Sequence, residues 1–207
     1  MSHELYIFGS ITRGEITPTS DLDVLVVPFN GQVRSSYPAA WSCYKERSLR
    51  RMHGEGRLFA WHLFLDSVCI HSDRPVPLLI ELGPPSEYST ADKDIRELTR
   101  LLTDSLKELS TNSPNMVYEL GILHTCLRDI AMSASWHLLE RPTFSQMAPY
   151  ELPVDFPLAV ADYKAMMLAR HASTRGAEAP FGQQALRGRL LTAPLIDWVA
   201  QIKDRIR

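Results

Sequence analysis

Two linked segments set the architecture of this chain: Phe8-Gly9-Ser10-Ile11-Thr12-Arg13-Gly14 and, with ten residues between Ser10 and Asp21, Asp21-Leu22-Asp23-Val24-Leu25-Val26-Val27. The apolar residues 5–8 end abruptly at Gly9, which predicts a strand, a turn and then a short helix. Glycine lets an anion approach the backbone N–H groups, the Ser10 hydroxyl is a further donor, and a helix start adds partial positive charge. Gly9 and Ser10 therefore predict a phosphate-binding loop.

Asp21 and Asp23 precede an apolar run that reads as a strand. Residues i and i+2 of a strand share one face, so both carboxylates are expected to point the same way. Two neighbouring carboxylates repel each other unless a cation lies between them, and Mg²⁺ prefers carboxylate oxygens. The pair predicts a magnesium site, with the ion bound together with a nucleotide.

Together, Gly-Ser, the spacer and Asp-Leu-Asp on an apolar strand resemble the motif of the DNA polymerase β-like nucleotidyltransferase superfamily, especially its small bacterial members. Arg13 and Ser20 also lie where many of those members carry Arg and Ser. The resemblance covers residues 5–27. It implies a triphosphate bound at Gly9, Ser10, Arg13 and Ser20, Mg²⁺ (or Mn²⁺) at Asp21 and Asp23, and transfer of a nucleoside monophosphate to a hydroxyl with release of pyrophosphate.

Members of that superfamily commonly add a third carboxylate from a later strand. Residues 58–65 are predicted as this strand, with residues 68–71 as its hairpin partner. Asp66 is the expected third catalytic and metal-binding carboxylate. His62 would share its face of the strand, and the weaker alternatives are Asp73 and Glu81.

The resemblance leaves three acceptor classes open. The first is a macromolecule (oligonucleotide, protein or RNA), since small relatives occur in bacterial phage defence and toxin–antitoxin systems, with a cognate partner. The second is a small molecule, as in aminoglycoside nucleotidyltransferases. The third reading is an inactive nucleotide-binding regulatory partner. Basic residues between Lys45 and Arg57 favour the first class, although a solvated helix face explains them equally well.

The 207 residues include 45% hydrophobic side chains, enough for one ordinary domain or two small ones. The formal charge of −2 argues against a non-specific binder of long nucleic acid. The three cysteines have no metal-ligand spacing and are predicted to be reduced thiols. No apolar run approaches the ~20 residues of a membrane span, and no room is left for a signal peptide, so the sequence predicts a cytoplasmic protein without membrane contact. The oligomeric state is left open.

The predicted fold class is α+β: a polymerase β-like core in residues 1–88, the nucleotidyltransferase catalytic domain, followed by a C-terminal all-helical domain in residues 89–207. A helix is predicted from Tyr37 to about His53, and residues 78–80 are predicted as a last short strand. Helical periodicity then predicts helices beginning near residue 90, at 115–139, at 155–171 and at 182–206, with Pro194 dividing the last. Lys164 interrupts an apolar stripe and is the candidate contact for nucleotide phosphates, with an exposed salt bridge as the alternative.

Overall fold

The computed structural model describes residues 3–16, 22–29, 37–111, 114–175, 178–179 and 182–206. The chain divides into two compact units, Met1–Thr90 and Ala91–Arg207. The first unit contains a sheet and helices, and the described part of the second contains helices without strands. This architecture confirms the predicted α+β class. The catalytic and helical roles assigned to residues 1–88 and 89–207 stay a prediction.

The first unit is built on a four-stranded mixed sheet. Its strands are β1 (His3–Phe8), β2 (Asp23–Pro28), β3 (Ser42–Cys43) and β4 (Val68–Ser72). The order is β3-β2-β1-β4, with β1 antiparallel to both neighbours and β3 parallel to β2. β1 therefore lies inside the sheet. Gly9 follows the last residue of β1, beside the first residue of β2.

The described part of this unit also contains three helices: α1 (Glu46–Gly54), α2 (Leu58–Asp66) and α3 (Leu78–Leu82). They close one apolar core with alternate residues of β1 and β2. The buried members of that core are Tyr6, Phe8, Leu25, Val27, Leu49, Leu63 and Leu78. Because β1 contributes only every second residue, its other face is less buried, as expected of a strand.

The predicted strand at residues 58–65 is wrong, because this segment forms α2. Its sequence is apolar almost throughout, and a short apolar run does not distinguish a buried strand from a buried helix by periodicity. Ala60 and Leu63, three residues apart, are buried on one side of the helix. The strand predicted at 68–71 is confirmed as β4, but it pairs with β1 rather than with residues 58–65.

Two further predictions in this unit are wrong. Residues 78–80 are part of α3 instead of a strand, and the helix predicted from Tyr37 begins only at Glu46. In the latter segment Ser42 and Cys43 pair with β2, and the Tyr44 amide donates to the Val26 carbonyl at 3.0 Å. Pairing with an existing strand thus replaces the local helical hydrogen bonds that the apolar spacing suggested.

Buried Glu4 explains why α3 forms where it does. Its carboxylate accepts hydrogen bonds from the Tyr6 hydroxyl at 2.9 Å, the Ser72 hydroxyl at 3.0 Å and the Leu78 amide at 3.0 Å. The first amides of a helix have no partner within the helix, so a carboxylate is stabilising there. Glu4 therefore joins β1, β4 and the start of α3.

The second unit is helical over its described residues. Its helices are α4 (Ala91–Ser110), α5 (Met116–Leu138), α6 (Val160–Arg175), α7 (Gln183–Thr192) and α8 (Leu195–Arg205), with a 3-10 turn at Ala148–Tyr150. α5 packs between α4 and α6. Within the described part of the chain, no helix has the length and apolar character needed to cross a bilayer.

The helices predicted for this half are confirmed, including the interruption at Pro194. The bounds of α6 differ, since it begins at Val160 rather than near residue 155 and ends at Arg175 rather than near residue 171. Pro157 explains the later start: proline lacks an amide donor and disfavours helical backbone in the residue before it.

Candidate functional site

The sheet register places Gly9 beside Asp23. Phe8 pairs with Asp23 across β1 and β2, so the next residue after Phe8 passes the start of β2. Gly9 has φ of +83°, and a Cβ built on it would lie 2.7 Å from Asp23 Oδ2. Only glycine combines this backbone conformation with so close an approach. The predicted phosphate loop and one of the predicted metal ligands therefore lie together.

The loop after Gly9 is a series of turns, so the short helix predicted there is wrong. The Glu15 amide donates to the Ser10 carbonyl at 2.9 Å and the Gly14 amide to the Ile11 carbonyl at 3.1 Å. Gly14, with φ of +75°, ends the loop with a second left-handed residue. A phosphate would thus meet the amides of a tight loop rather than a helix dipole. Ser10 itself is buried.

Two predicted site residues, Ser20 and Asp21, lie outside the described residues. Their roles in nucleotide and metal binding stay predictions. Asp23 is described and partly buried at the start of β2.

Asp66, the predicted third carboxylate, is brought to the loop by α2 but is paired there with a cation. Arg13 Nη1 donates to Asp66 Oδ2 at 2.7 Å, and the Nε and Nη2 atoms of Arg13 donate to Glu15 at 2.9 Å each. Burial lowers the pKa of the Arg13 guanidinium, but the hydrogen bonds to Glu15 and Asp66 outweigh burial and raise that pKa above its ordinary value. Arg13 is therefore a fixed positive charge at the loop.

The alternatives to Asp66 lie at different distances from this loop. His62 shares the face of α2 with Asp66, one helical turn away, and its Nε2 lies 3.4 Å from Asp66 Oδ2 and 3.4 Å from Arg13 Nη1. Asp73 accepts from the His3 amide, and Glu81 pairs with Arg50. Of these residues, His62 alone has a described contact with Arg13 or Asp66. The predicted proximity of His62 and Asp66 holds, although on a helix rather than a strand.

Part of the basic segment between Lys45 and Arg57 is neutralised by neighbouring carboxylates. Arg50 donates to Glu46 at 2.8 Å and to Glu81 at 2.7 Å, and Arg57 donates to Glu55 at 2.9 Å. These two arginines are therefore already paired and do not support binding of a polyanionic acceptor. Lys45, Arg47 and Arg51 are exposed.

Lys164, the remaining predicted nucleotide contact, is exposed on α6 of the second unit. The structure therefore brings Gly9, Ser10, Arg13, Asp23 and Asp66 together within the first unit, and Lys164 belongs to the other one.

A divalent cation fits the chemistry of Asp23 and its surroundings. Its carboxylate is a hard oxygen ligand at the edge of a loop that has no side chain at Gly9. Among the described residues no cluster of three His, Cys, Asp or Glu side chains has a geometry suited to a metal, and Asp21, the expected second ligand, lies outside them.

Thr12 was missed by sequence reasoning. Its hydroxyl lies 2.8 Å from the Gly9 carbonyl and 2.5 Å from the Asp66 carbonyl, which connects the two ends of the site. A threonine three residues after a glycine in a turn is a recognisable local signal, because Ser and Thr hydroxyls bond to nearby backbone. The contact with Asp66 joins residues far apart in the sequence and has no such signal.

No curated protein matches this chain. Residues 2–53 match the family model described as "Nucleotidyltransferase domain". The match includes β1, the loop and β2, so it covers the segment that carries the predicted motif. It spans 52 of the 207 residues and does not extend to the second unit. Residues 2–53 thus carry the sequence pattern of a nucleotidyltransferase domain.

Proposed function

We propose that this protein is a Mg²⁺-dependent nucleotidyltransferase, which moves a nucleoside monophosphate from an NTP or dNTP to a hydroxyl acceptor. The observation that carries the proposal is the close approach of the Asp23 carboxylate to Gly9, where an added Cβ would lie 2.7 Å from Asp23 Oδ2. It combines a place for a phosphate with a ligand for the cation that accompanies it. The match of residues 2–53 supports nucleotidyl transfer as the general reaction.

In this proposal the loop amides at Gly9 and Ser10 bind the triphosphate, while Asp21 and Asp23 hold Mg²⁺ (or Mn²⁺). When bound, the cation neutralises charge on the phosphates. The acceptor hydroxyl oxygen forms a bond to the α-phosphorus as the bond to the pyrophosphate oxygen breaks, and the hydroxyl proton passes to solvent. The protein contributes mainly position and charge, which is sufficient for phosphoryl chemistry.

For the acceptor we propose a hydroxyl of an oligonucleotide, a protein or an RNA, with a role in phage defence or toxin–antitoxin systems. This part rests on the resemblance to small bacterial members and on the exposed cations at Lys45, Arg47 and Arg51. The arginines already paired with glutamates do not support it. A small-molecule acceptor is the alternative. Incubation of the protein with α-labelled nucleotide, alone or with a small-molecule library, separates these classes by the product that carries the label.

The test is Asp23→Asn. We expect turnover of α-labelled NTP with Mg²⁺ to fall at least ~100-fold, because the change removes a formal charge from the cation site. Circular dichroism and thermal unfolding should remain close to those of the wild type. The control is Asp73→Asn, which changes an exposed aspartate of the same unit outside the proposed site. A fully active Asp23→Asn protein would contradict the assignment.

A second candidate is a nucleotide-binding protein without transferase activity. The observation that favours it is the pairing of Asp66 with Arg13, since this leaves the expected third carboxylate engaged by a guanidinium. The test combines calorimetry with the labelling assay, using the common ribo- and deoxynucleoside triphosphates. Binding of NTP and Mg²⁺ without labelled product from any of these nucleotides would favour this candidate.

A further inference from the structure

The loop and the carboxyl end of α2 are joined by a small set of contacts, here called the loop–helix joint: Gly9, Thr12, Arg13 and Asp66. Its central ion pair, Arg13 Nη1 to Asp66 Oδ2 at 2.7 Å, is largely shielded, with 17% and 11% of the two side chains exposed. A partly buried, charge-assisted hydrogen bond is stronger than an exposed one and holds its partners in one geometry.

Thr12 adds a second connection between the same two elements. Its hydroxyl oxygen lies within hydrogen-bond distance of the Gly9 and Asp66 carbonyls, and its single proton is donated to one of them at a time. Loop and helix are therefore connected through both a side-chain ion pair and a backbone contact.

The ion pair is poorly suited to the roles that the family resemblance implies for its members. A divalent cation at Asp66 would lie close to the guanidinium that already binds this carboxylate, and like charges repel. Similarly, Arg13 directs its Nε, Nη1 and Nη2 donors to Glu15 and Asp66. These contacts use three of the five N–H donors of Arg13 and place two carboxylates beside its charge, which weakens its attraction for a phosphate.

We propose that Arg13 and Asp66 are positioning residues, which hold the Gly9–Ser10 turn against Asp23, and that neither is a direct ligand of metal or phosphate. The loop–helix joint connects the loop to α2, while the strand register places Asp23 beside the end of β1. Displacements of about 1 Å at such a site can lower rates about 100-fold, so the joint controls nucleotide binding without touching the nucleotide. This inference rests on the proposed function.

The experiment is a double-mutant cycle with Arg13→Gln, Asp66→Asn and the combined variant. The measurements are kcat and KM for NTP, the Mg²⁺ concentration for half-maximal rate, Mn²⁺ affinity by electron paramagnetic resonance, and amide exchange of residues 9–15. The control is Asp162→Asn, which removes an arginine–aspartate ion pair from the second unit, where Arg189 Nε and Nη2 donate to the two carboxylate oxygens of Asp162.

We expect each single variant to raise KM for NTP about 10-fold and to speed exchange of the loop amides, with Mn²⁺ affinity unchanged. The combined variant should be no worse than either single one, because both act through one contact. Asp162→Asn should behave as the wild type.

The inference is overturned if Asp66→Asn lowers Mn²⁺ affinity as Asp23→Asn does, if the losses multiply in the combined variant, or if loop exchange is unchanged. These outcomes differ from failure of the proposed function. In that case the wild-type protein itself would neither bind NTP with Mn²⁺ nor form product.

Discussion

Gly9 and Gly14 share a left-handed backbone but differ in their surroundings. A Cβ on Gly9 would lie 2.7 Å from Asp23 Oδ2, whereas a Cβ on Gly14 would have no atom within 4 Å. Alanine at either position pays the same backbone cost of about 1–2 kcal/mol. Only at Gly9 must the Asp23 carboxylate also move.

We therefore predict that Gly9→Ala lowers kcat/KM about 10- to 100-fold. Gly14→Ala should lower the free energy of unfolding about as much as Gly9→Ala does, but should retain most of the activity. Labelled-nucleotide turnover and thermal unfolding of both variants measure the two effects separately. Equal activity losses would mean that backbone strain, and not the contact with Asp23, makes Gly9 necessary.

The site residues also show what a sequence reveals and what it does not. The neighbourhood of Gly9 and Asp23 was predictable, because a strand, a turn and an antiparallel partner are local features. The pairing of Asp66 with Arg13 was not, because it depends on α2, which was predicted as a strand. Glu4 carries no periodicity signal at all, and only the meeting of β1, β4 and α3 gives it partners.

Helices α5 and α6 enclose a histidine that is costly to charge. His124 is buried, packs on the Tyr163 ring with 4.9 Å between ring centroids, and has no hydrogen-bond partner for either ring nitrogen among the described residues. Burial, followed by the charges of Arg128, Arg170 and His171, lowers the pKa of His124 to about 3. The ordinary value is 6.5.

This shift predicts acid sensitivity. Between pH 6.5 and 3 the unfolded chain binds a proton at His124 that the folded chain does not, so stability is present above pH 6.5 and is lost as pH falls. Relative to His124→Phe, which keeps an aromatic ring, the wild type should lose about 2 kcal/mol of unfolding free energy between pH 7 and pH 5.

Urea unfolding at several pH values, followed by hydrogen exchange of α5, is the measurement. His137→Phe is the control, since His137 is exposed on the same helix. Parallel pH profiles for wild type and His124→Phe would show that His124 is not the titrating group.

Helix prediction succeeded in the second unit for a physical reason. In α4 the apolar residues Ile95, Leu102 and Leu109 recur with helical spacing and are all fully buried. Charged residues occupy the opposite face, so the pattern is unambiguous. In α2 both faces carry large apolar side chains, including half-exposed Phe64, and the period is lost.

Over the whole molecule, 22 basic and 24 acidic residues leave a formal charge of −2. Several arginines are moreover held by carboxylates, among them Arg50, Arg57 and Arg189. Non-specific nucleic-acid binding depends on cations that are available to replace counterions at phosphates. The paired arginines and the net negative charge therefore weaken such binding.

We predict that random double-stranded DNA or RNA binds with a dissociation constant weaker than about 100 μM at 150 mM salt, the weak end of ordinary non-specific binding. Fluorescence anisotropy with a labelled duplex of random sequence is the measurement. A single-stranded oligonucleotide in the same titration serves as the comparison. Micromolar binding with a steep salt dependence would contradict the prediction and would indicate a basic surface despite the net negative charge.

The central position of β1 has a consequence for protein synthesis. β1 and β2 leave the ribosome before β4, which follows about 40 residues after β2, or about 2–8 s later at ordinary elongation rates. During this interval one edge of β1 has no strand to pair with, and Glu4 lacks Ser72 and Leu78. The first unit can therefore complete its fold only after residue 78 has emerged, and a nascent chain stalled before that point would expose an unpaired strand edge to chaperones and to other chains.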